Sequence, residues 1–268
     1  MKHGFSFLPA AALMRCGFLE GLAYRKNLFI SLLANFIQTA VSYYVWKTIF
    51  PLQPSISSYT WNLMRRYLFV AFLCNSTFTF GFEMQTAKKI IKGDIILDLL
   101  KPVDYRRMTF FRLLGNAGIE FGLTFLFTGC FYLYVNGMDL RTLARVPLFL
   151  LSLFLGIRIK FGIQYLFSLL CFYTDNAYGV TKAREVLTNF FSGALIPLAV
   201  FPKLLRNLCS YLPFQGIVYV PCSIFLGTLS VHETLWQLLL QLFWILLLYL
   251  LGRLAWKKAS RVLSFYGG

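Results

Sequence analysis

Six stretches of this chain run for close to a membrane's thickness with almost no charge, and that pattern leaves few folds open. A hydrocarbon core about 30 Å thick is crossed by roughly 20 apolar residues in helical form. The stretches are 28–49, 67–86, 113–135, 146–172, 186–201 and 235–256. They are too long for barrel strands and lack strict alternation of apolar and polar residues. The sequence therefore predicts an all-α integral membrane protein with six transmembrane helices. Composition agrees, since 58% of the 268 residues are hydrophobic and only 13% charged, against about 25% charged in a usual soluble domain. With 18% aromatic residues the chain is also too apolar for a solvated coil.

The fifth stretch is short, and Pro197 and Pro202 break it. Residues 203–229 are apolar but punctuated by Pro213, Gly216, Pro221 and Gly227. Pro and Gly interrupt a continuous span, so short outer re-entrant helices between the fifth and sixth spans are predicted.

A net charge of +16 on a soluble protein would point to nucleic acid. Here the cations sort by loop, which predicts topology and no nucleic-acid partner. Lys2, Arg15, Arg25 and Lys26 precede the first span. Lys88, Lys89, Lys92, Lys101, Arg106, Arg107 and Arg112 fill the second loop. Lys182 and Arg184 occupy the fourth, and Arg253, Lys257, Lys258 and Arg261 the tail. The opposite side carries only Lys47, Arg65, Arg66, Arg141, Arg145, Lys203 and Arg206. Both termini are expected on the cytoplasmic side, with Arg65 and Arg66 standing against the bias. No cleavable signal is read at the start, where Pro9 and Arg15 interrupt a short apolar run. Residues 1–27 are expected to form an N-terminal interfacial helix over Phe7–Asn27, with Leu13, Leu19 and Leu22 toward lipid. Residues 28–268 then form one transmembrane domain.

Soluble-enzyme chemistry is missing. No G-x-x-x-x-G-K-[ST] or G-x-G-x-x-G cradles a nucleotide, and His3 and His232 are too few for a zinc site or His-based triad. The cysteines include no CxxC pair, so no metal is expected. Cys209 and Cys222 share the outer segment, but spacing alone does not bring their Cα atoms together, and free thiols are expected. The energy source is then an ion gradient or another subunit.

The run from Glu83 to Pro102 is the most informative. Ile91, Ile95 and Leu99 fall at helical spacing, flanked by Ile90 and Leu97, with Lys88, Lys89, Lys92, Asp94 and Asp98 as the polar complement. Gly93 followed by Asp94 suits a break and restart with Asp94 as N-cap, and Lys101-Pro102 stops the run. Such an element either lies on lipid headgroups or docks a cytoplasmic protein.

Several motifs together resemble a known family. They are Ala23-Tyr24-Arg25, the Glu83–Pro102 loop, and Cys171-Phe-Tyr-Thr-Asp175 with Phe191-Ser-Gly-Ala-Leu-Ile-Pro-Leu198. Phe201-Pro202, Leu212-Pro-Phe214 and Tyr219-Val-Pro221 with Gly227 extend the series. The chain resembles the ABC-2 type exporter permeases, specifically a bacterial six-helix branch, with Tyr173 where that branch usually has Trp. The resemblance implies a permease subunit of the bacterial cytoplasmic membrane, without catalysis or cofactor of its own. ATP and magnesium would sit in separate ATP-binding subunits, and a second, different permease would complete a heterodimer. It places Glu83, Lys92, Gly93, Asp94, Leu99, Lys101 and Pro102 at or beside a coupling helix that enters the ATPase. It assigns Gly193, Pro197, Pro202, Pro213, Phe214 and Pro221 to the re-entrant segment capping the path.

Arg158 and Lys160 lie inside the fourth span, where each costs roughly 2.5–3.5 kcal/mol if it faces lipid. Residues two apart on a helix point to opposing sides, whereas Lys160 and Gln164 share a face. Glu120 in the third span is the natural counter-ion. These four residues form either a structural ion pair or part of a translocation path favouring anionic substrates. Two other functions stay open on residues alone: a gradient-driven secondary transporter, for which no internal repeat is seen, and a non-transport membrane scaffold. An intramembrane enzyme using Glu120 is disfavoured by the scarcity of His and Asp.

Overall fold

The computed structural model describes residues 7–23, 25–53, 55–56, 59–76, 82–136, 140–174 and 176–266. Tyr24 and Asp175 of the motifs, and the side chains of Arg25, Asn35 and Arg141, fall outside that description. The described chain is helical almost throughout. Helix α1 spans Phe7–Ala23 and α2 Arg25–Ile49; strands β1 (Ser55–Ile56) and β2 (Tyr59–Thr60) form a small antiparallel hairpin. Then come α3 (Trp61–Asn75), α4 (Phe82–Lys92), α5 (Ile95–Leu99), α6 (Tyr105–Asn136) and α7 (Leu140–Leu170). The remainder comprises α8 (Ala177–Phe191), α9 (Lys203–Tyr211), α10 (Tyr219–Leu226) and α11 (Val231–Tyr266), with 3-10 turns at Leu198–Val200 and Pro213–Gly216. An all-α membrane protein is what these elements make. Among the described residues, three helices are long and apolar enough to cross a bilayer, over Tyr105–Cys130, Thr142–Leu170 and Val231–Arg261.

Two helix boundaries differ from the sequence reading. The stretch 67–86 is not one helix among the described residues: α3 ends at Asn75, where the Ser76 hydroxyl donates to the Leu73 carbonyl at 2.8 Å, and helix is next described from Phe82. A serine bonding back to its own turn competes with the helical ladder and marks this end. In the stretch 186–201, α8 stops at Phe191, because Gly193 takes φ +83°, a left-handed conformation that cannot continue a helix. The halt comes before either proline. At its start, α8 is capped by the Asn176 side chain, which accepts from the Gly179 amide at 2.8 Å.

Helix α7 is the spine. Its Phe149, Leu153, Ile159 and Ile163 join Trp46, Phe50, Tyr59, Met64, Tyr67, Ile217 and Cys222 in one apolar core near the β-hairpin. Its Phe161, Tyr165 and Leu169 join Phe82, Ile95, Tyr105, Phe110, Phe172 and Ala259 in a second core at the α4–α5 end. Helix α1 does not lie apart from the bundle. A Cβ on Gly17 would stand 1.9 Å from the Arg112 carbonyl oxygen, and one on Gly115 2.0 Å from that of Met14, so α1 and α6 cross in backbone contact. Arg112 Nε donates to Glu20 Oε2 at 2.8 Å across the same crossing. Leu19 and Leu22 are exposed, but Leu13 packs on the second core instead of facing outward. Cys209 and Cys222 are both free, and the thiol in hydrogen-bonding contact with Cys222 is Cys74 of α3.

Candidate functional site

The loop between α3 and α6 folds as two short helices at an angle. Gly93 adopts φ +76° between them, open to a residue without a Cβ and strained for any other L-residue. Asp94 has helical backbone angles and makes no side-chain cap bond, so the expected N-cap role is not seen. The carboxylate that organises the loop is Asp98. It accepts from Lys89 Nζ at 2.5 Å and from Lys101 Nζ at 2.6 Å, clasping the end of α5 to α4 and to the following bend. Burial works against ionisation of Asp98, but the hydrogen bonds from Lys101 and Lys89 outweigh it and hold its pKa below the ordinary carboxylate value.

The break at Gly93 also rephases the apolar residues. Ile95 is fully buried, while Ile91 is 77% exposed and Leu99 38% exposed, so these three do not share one face as an unbroken helix would require. The exposed apolar side chains are Ile91, Ile96, Leu97, Leu99 and Leu100. Lys92, Gly93, Asp94, Lys101 and Pro102 stand exposed around them.

Glu83 is not among this group. It lies at the start of α4, wholly buried, where its Oε1 accepts from Arg184 Nε of α8, itself buried. The sequence marked Arg184 only as a loop cation. A lone carboxylate in an apolar run needs a cation, but nothing in the sequence said which of the many cations would reach it.

Deeper in the bundle, Lys160 and Gln164 are both buried on one face of α7. Lys160 Nζ donates to the Asn75 carbonyl at the end of α3 at 2.8 Å. Glu120 Oε1 of α6 accepts from Ser31 Oγ of α2 at 2.7 Å, and Glu120 and Arg184 both act on the Lys160 charge. Arg158 points another way, its guanidinium 4.5 Å from the Phe110 ring centroid on α6. Thus Glu120, Lys160, Arg184 and Glu83 are buried ionisable groups of α6, α7, α8 and α4, with Glu83 and Arg184 in direct contact and Arg158 turned toward Phe110.

Residues 192–218 alternate irregular backbone with the two 3-10 turns and the short helix α9, held among the long helices. A Cβ on Gly156, midway along α7, would sit 2.6 Å from the Gly216 carbonyl oxygen, so this segment reaches the middle of the bundle. Carbonyls at such depth need donors. Gln241 Nε2 of α11 supplies Gly216 at 2.7 Å and Ser152 at 3.1 Å, and its Oε1 accepts from Ser152 Oγ at 3.2 Å. Tyr67 OH donates to the Gly193 carbonyl at 2.7 Å, and Trp244 Nε1 to that of Tyr211 at 2.9 Å. Pro197 and Pro213 are buried within this segment, Phe214 is half-buried, Pro202 is exposed at the start of α9, and Pro221 is buried in α10.

A family model described as ABC-2 family transporter protein matches residues 36–267. No curated protein matches the chain.

Proposed function

Because this chain belongs to the ABC-2 transporter family, we propose that it is the permease subunit of an ATP-driven exporter, with six membrane-crossing segments and both termini on the cytoplasmic side of a bacterial inner membrane. ATP and magnesium act in separate ATP-binding subunits, and this chain supplies the path and the mechanical coupling. The observation that carries the reading is the α4–α5 unit. It offers Ile91, Ile96, Leu97, Leu99 and Leu100 outward and is fastened at its base to α8 by the Glu83–Arg184 pair. A partner that pushes on this unit moves α8, and with it the irregular segment that follows. A buried ion pair transmits such a displacement because breaking it costs several kcal/mol. Two packings of one bundle, biased by the ATPase, then present the path to alternate sides. A second and different permease completes the dimer.

The test is copurification. A separately encoded ATPase is expected to come down with the chain and to be released by Leu97→Asp and Leu100→Asp, which change exposed residues and leave the core intact. A chain that transports alone in ATP-free vesicles overturns the reading in favour of a gradient-driven transporter.

A further inference from the structure

Two apolar grooves flank the first turns of α3 at the end of the bundle that carries the β-hairpin. One, of about 370 Å³, runs between α3, α6, α7 and α10 and has Arg66 at its rim. The other, of about 540 Å³, runs between α2, α3 and α6 and has Lys47 and Arg65 at its rim. Both volumes fall in the range of about 300–1,000 Å³ usual for small-molecule sites. They share one wall, made by Phe69 of α3 and Thr128 of α6. Arg65 stands one turn before Phe69, and Arg66 one turn before Val70, so each arginine sits over the groove that its own helical face lines. Among the described residues, neither groove has an aspartate or glutamate in its lining.

The depth is marked by aromatics. Tyr43 and Trp61 pack with ring centroids 5.3 Å apart, and Tyr43 and Tyr44 at 5.5 Å, beside the same cations. A girdle of Tyr and Trp is the signature of the headgroup level. Arg65 donates to Asn62 Oδ1 at 3.2 Å, and the Nε of Arg66 has no hydrogen-bond partner among the described residues. A guanidinium carries five N–H donors in a fork that matches phosphate geometry, so this pair can hold one phosphate between two grooves. It also accounts for cations that the distribution of loop charge does not explain.

We propose that these grooves bind one anionic phospholipid of the adjoining leaflet, with its phosphate on Arg65 and Arg66 and one acyl chain in each groove astride Phe69 and Thr128. Lys47 adds to the positive field at the rim and disfavours a cationic headgroup. The site includes none of Glu83, Glu120, Lys160 and Arg184 and holds whether or not the exporter reading does.

The experiment is native mass spectrometry of the full chain released from nanodiscs of equal phosphatidylglycerol and phosphatidylcholine. One tightly retained phosphatidylglycerol is expected per chain. Each arginine changed to Gln is expected to lower its preference over phosphatidylcholine roughly fivefold, the effect of about 1 kcal/mol per cation near an anionic surface. Arg66→Lys, which keeps the charge, is expected to retain most of the preference and serves if the double variant Arg65→Gln/Arg66→Gln does not fold. Lysophosphatidylglycerol, with one chain, should be retained less than the two-chain lipid, and inorganic phosphate should not displace either. Equal retention of the two headgroups, an unchanged preference after Arg66→Gln, or displacement by phosphate overturns the proposal.

Discussion

The Arg184 guanidinium and the Glu83 carboxylate meet in a buried ion pair that fastens the first helix of the α4–α5 unit to α8. The two residues are far apart in the chain and each lies on a helix that is short for a membrane crossing. What holds those helices in register is therefore side-chain chemistry as much as apolar packing.

Removing one member of the pair leaves the other charge buried and uncompensated. Glu83→Gln or Arg184→Gln should each destabilise the purified protein by about 3–5 kcal/mol. The double variant should recover much of that loss, since no buried charge remains. Thermal unfolding of all four proteins in detergent gives the cycle. Additive single losses would show that the residues do not act as a pair.

Acid should loosen the α4–α5 unit through Asp98. Its folded pKa is held below that of an unfolded aspartate, near ~3.9, so its contribution is present in full above that value. It is lost as pH falls through the lower folded pKa. The lysine partners are part-exposed, so the effect is about 1 kcal/mol or less. Protection against hydrogen exchange at residues 95–101, taken relative to the intrinsic amide rate at each pH, should fall below about pH 4 and stay flat from neutral pH down to about pH 5. Asp98→Asn should show the lower protection at every pH.

Gln241 answers two carbonyls inside the bundle, one from α7 and one from the irregular segment. Gln241→Leu keeps the bulk and removes both donors. A loss of about 1–3 kcal/mol is expected from the Gly216 carbonyl left without its donor, since the Ser152 carbonyl keeps its place in the α7 ladder, with hydrogen exchange rising first at residues 213–218. Tyr67→Phe should cost about 1 kcal/mol through the Gly193 carbonyl alone and loosen residues 192–197.

The crossing of α1 on α6 leaves no room for a side chain at Gly17 or Gly115. Gly115→Val should force α1 off α6, break the Glu20–Arg112 contact and expose α1 to protease. Gly118, on the same helix, has open space where a Cβ would stand, so Gly118→Ala should leave the digestion pattern unchanged. Equal sensitivity of the two variants would show that the close approach does not hold α1.

The long helices were legible because apolar length is written in the residues themselves: α6, α7 and α11 cover the stretches that hydropathy picks out. The prolines and glycines after α8 announced interrupted helix, and interrupted helix is there. What the sequence concealed was pairing. Glu83 read as part of the loop with Lys92 and Asp94, yet it belongs to the bundle through Arg184. Asp94 read as a cap, whereas Asp98, one helical turn later, binds two lysines. Ile91, Ile95 and Leu99 read as one face until a single left-handed glycine turned the second helix. Periodicity is local and survives translation into structure. Which charge meets which, across the bundle, is decided by tertiary geometry that no short window of sequence contains.

That glycine has one more property. A Cβ built on Gly93 meets nothing within 4 Å, although the backbone there has φ +76°. The constraint is one of handedness and not of room. A mirror-image residue, D-alanine introduced by chemical ligation, would fit the turn without strain and with fewer unfolded conformations to lose, where L-alanine would be strained. The angle between α4 and α5 thus rests on one left-handed backbone conformation, the Asp98 clasp and the burial of Ile95, with no crowding at Gly93 itself.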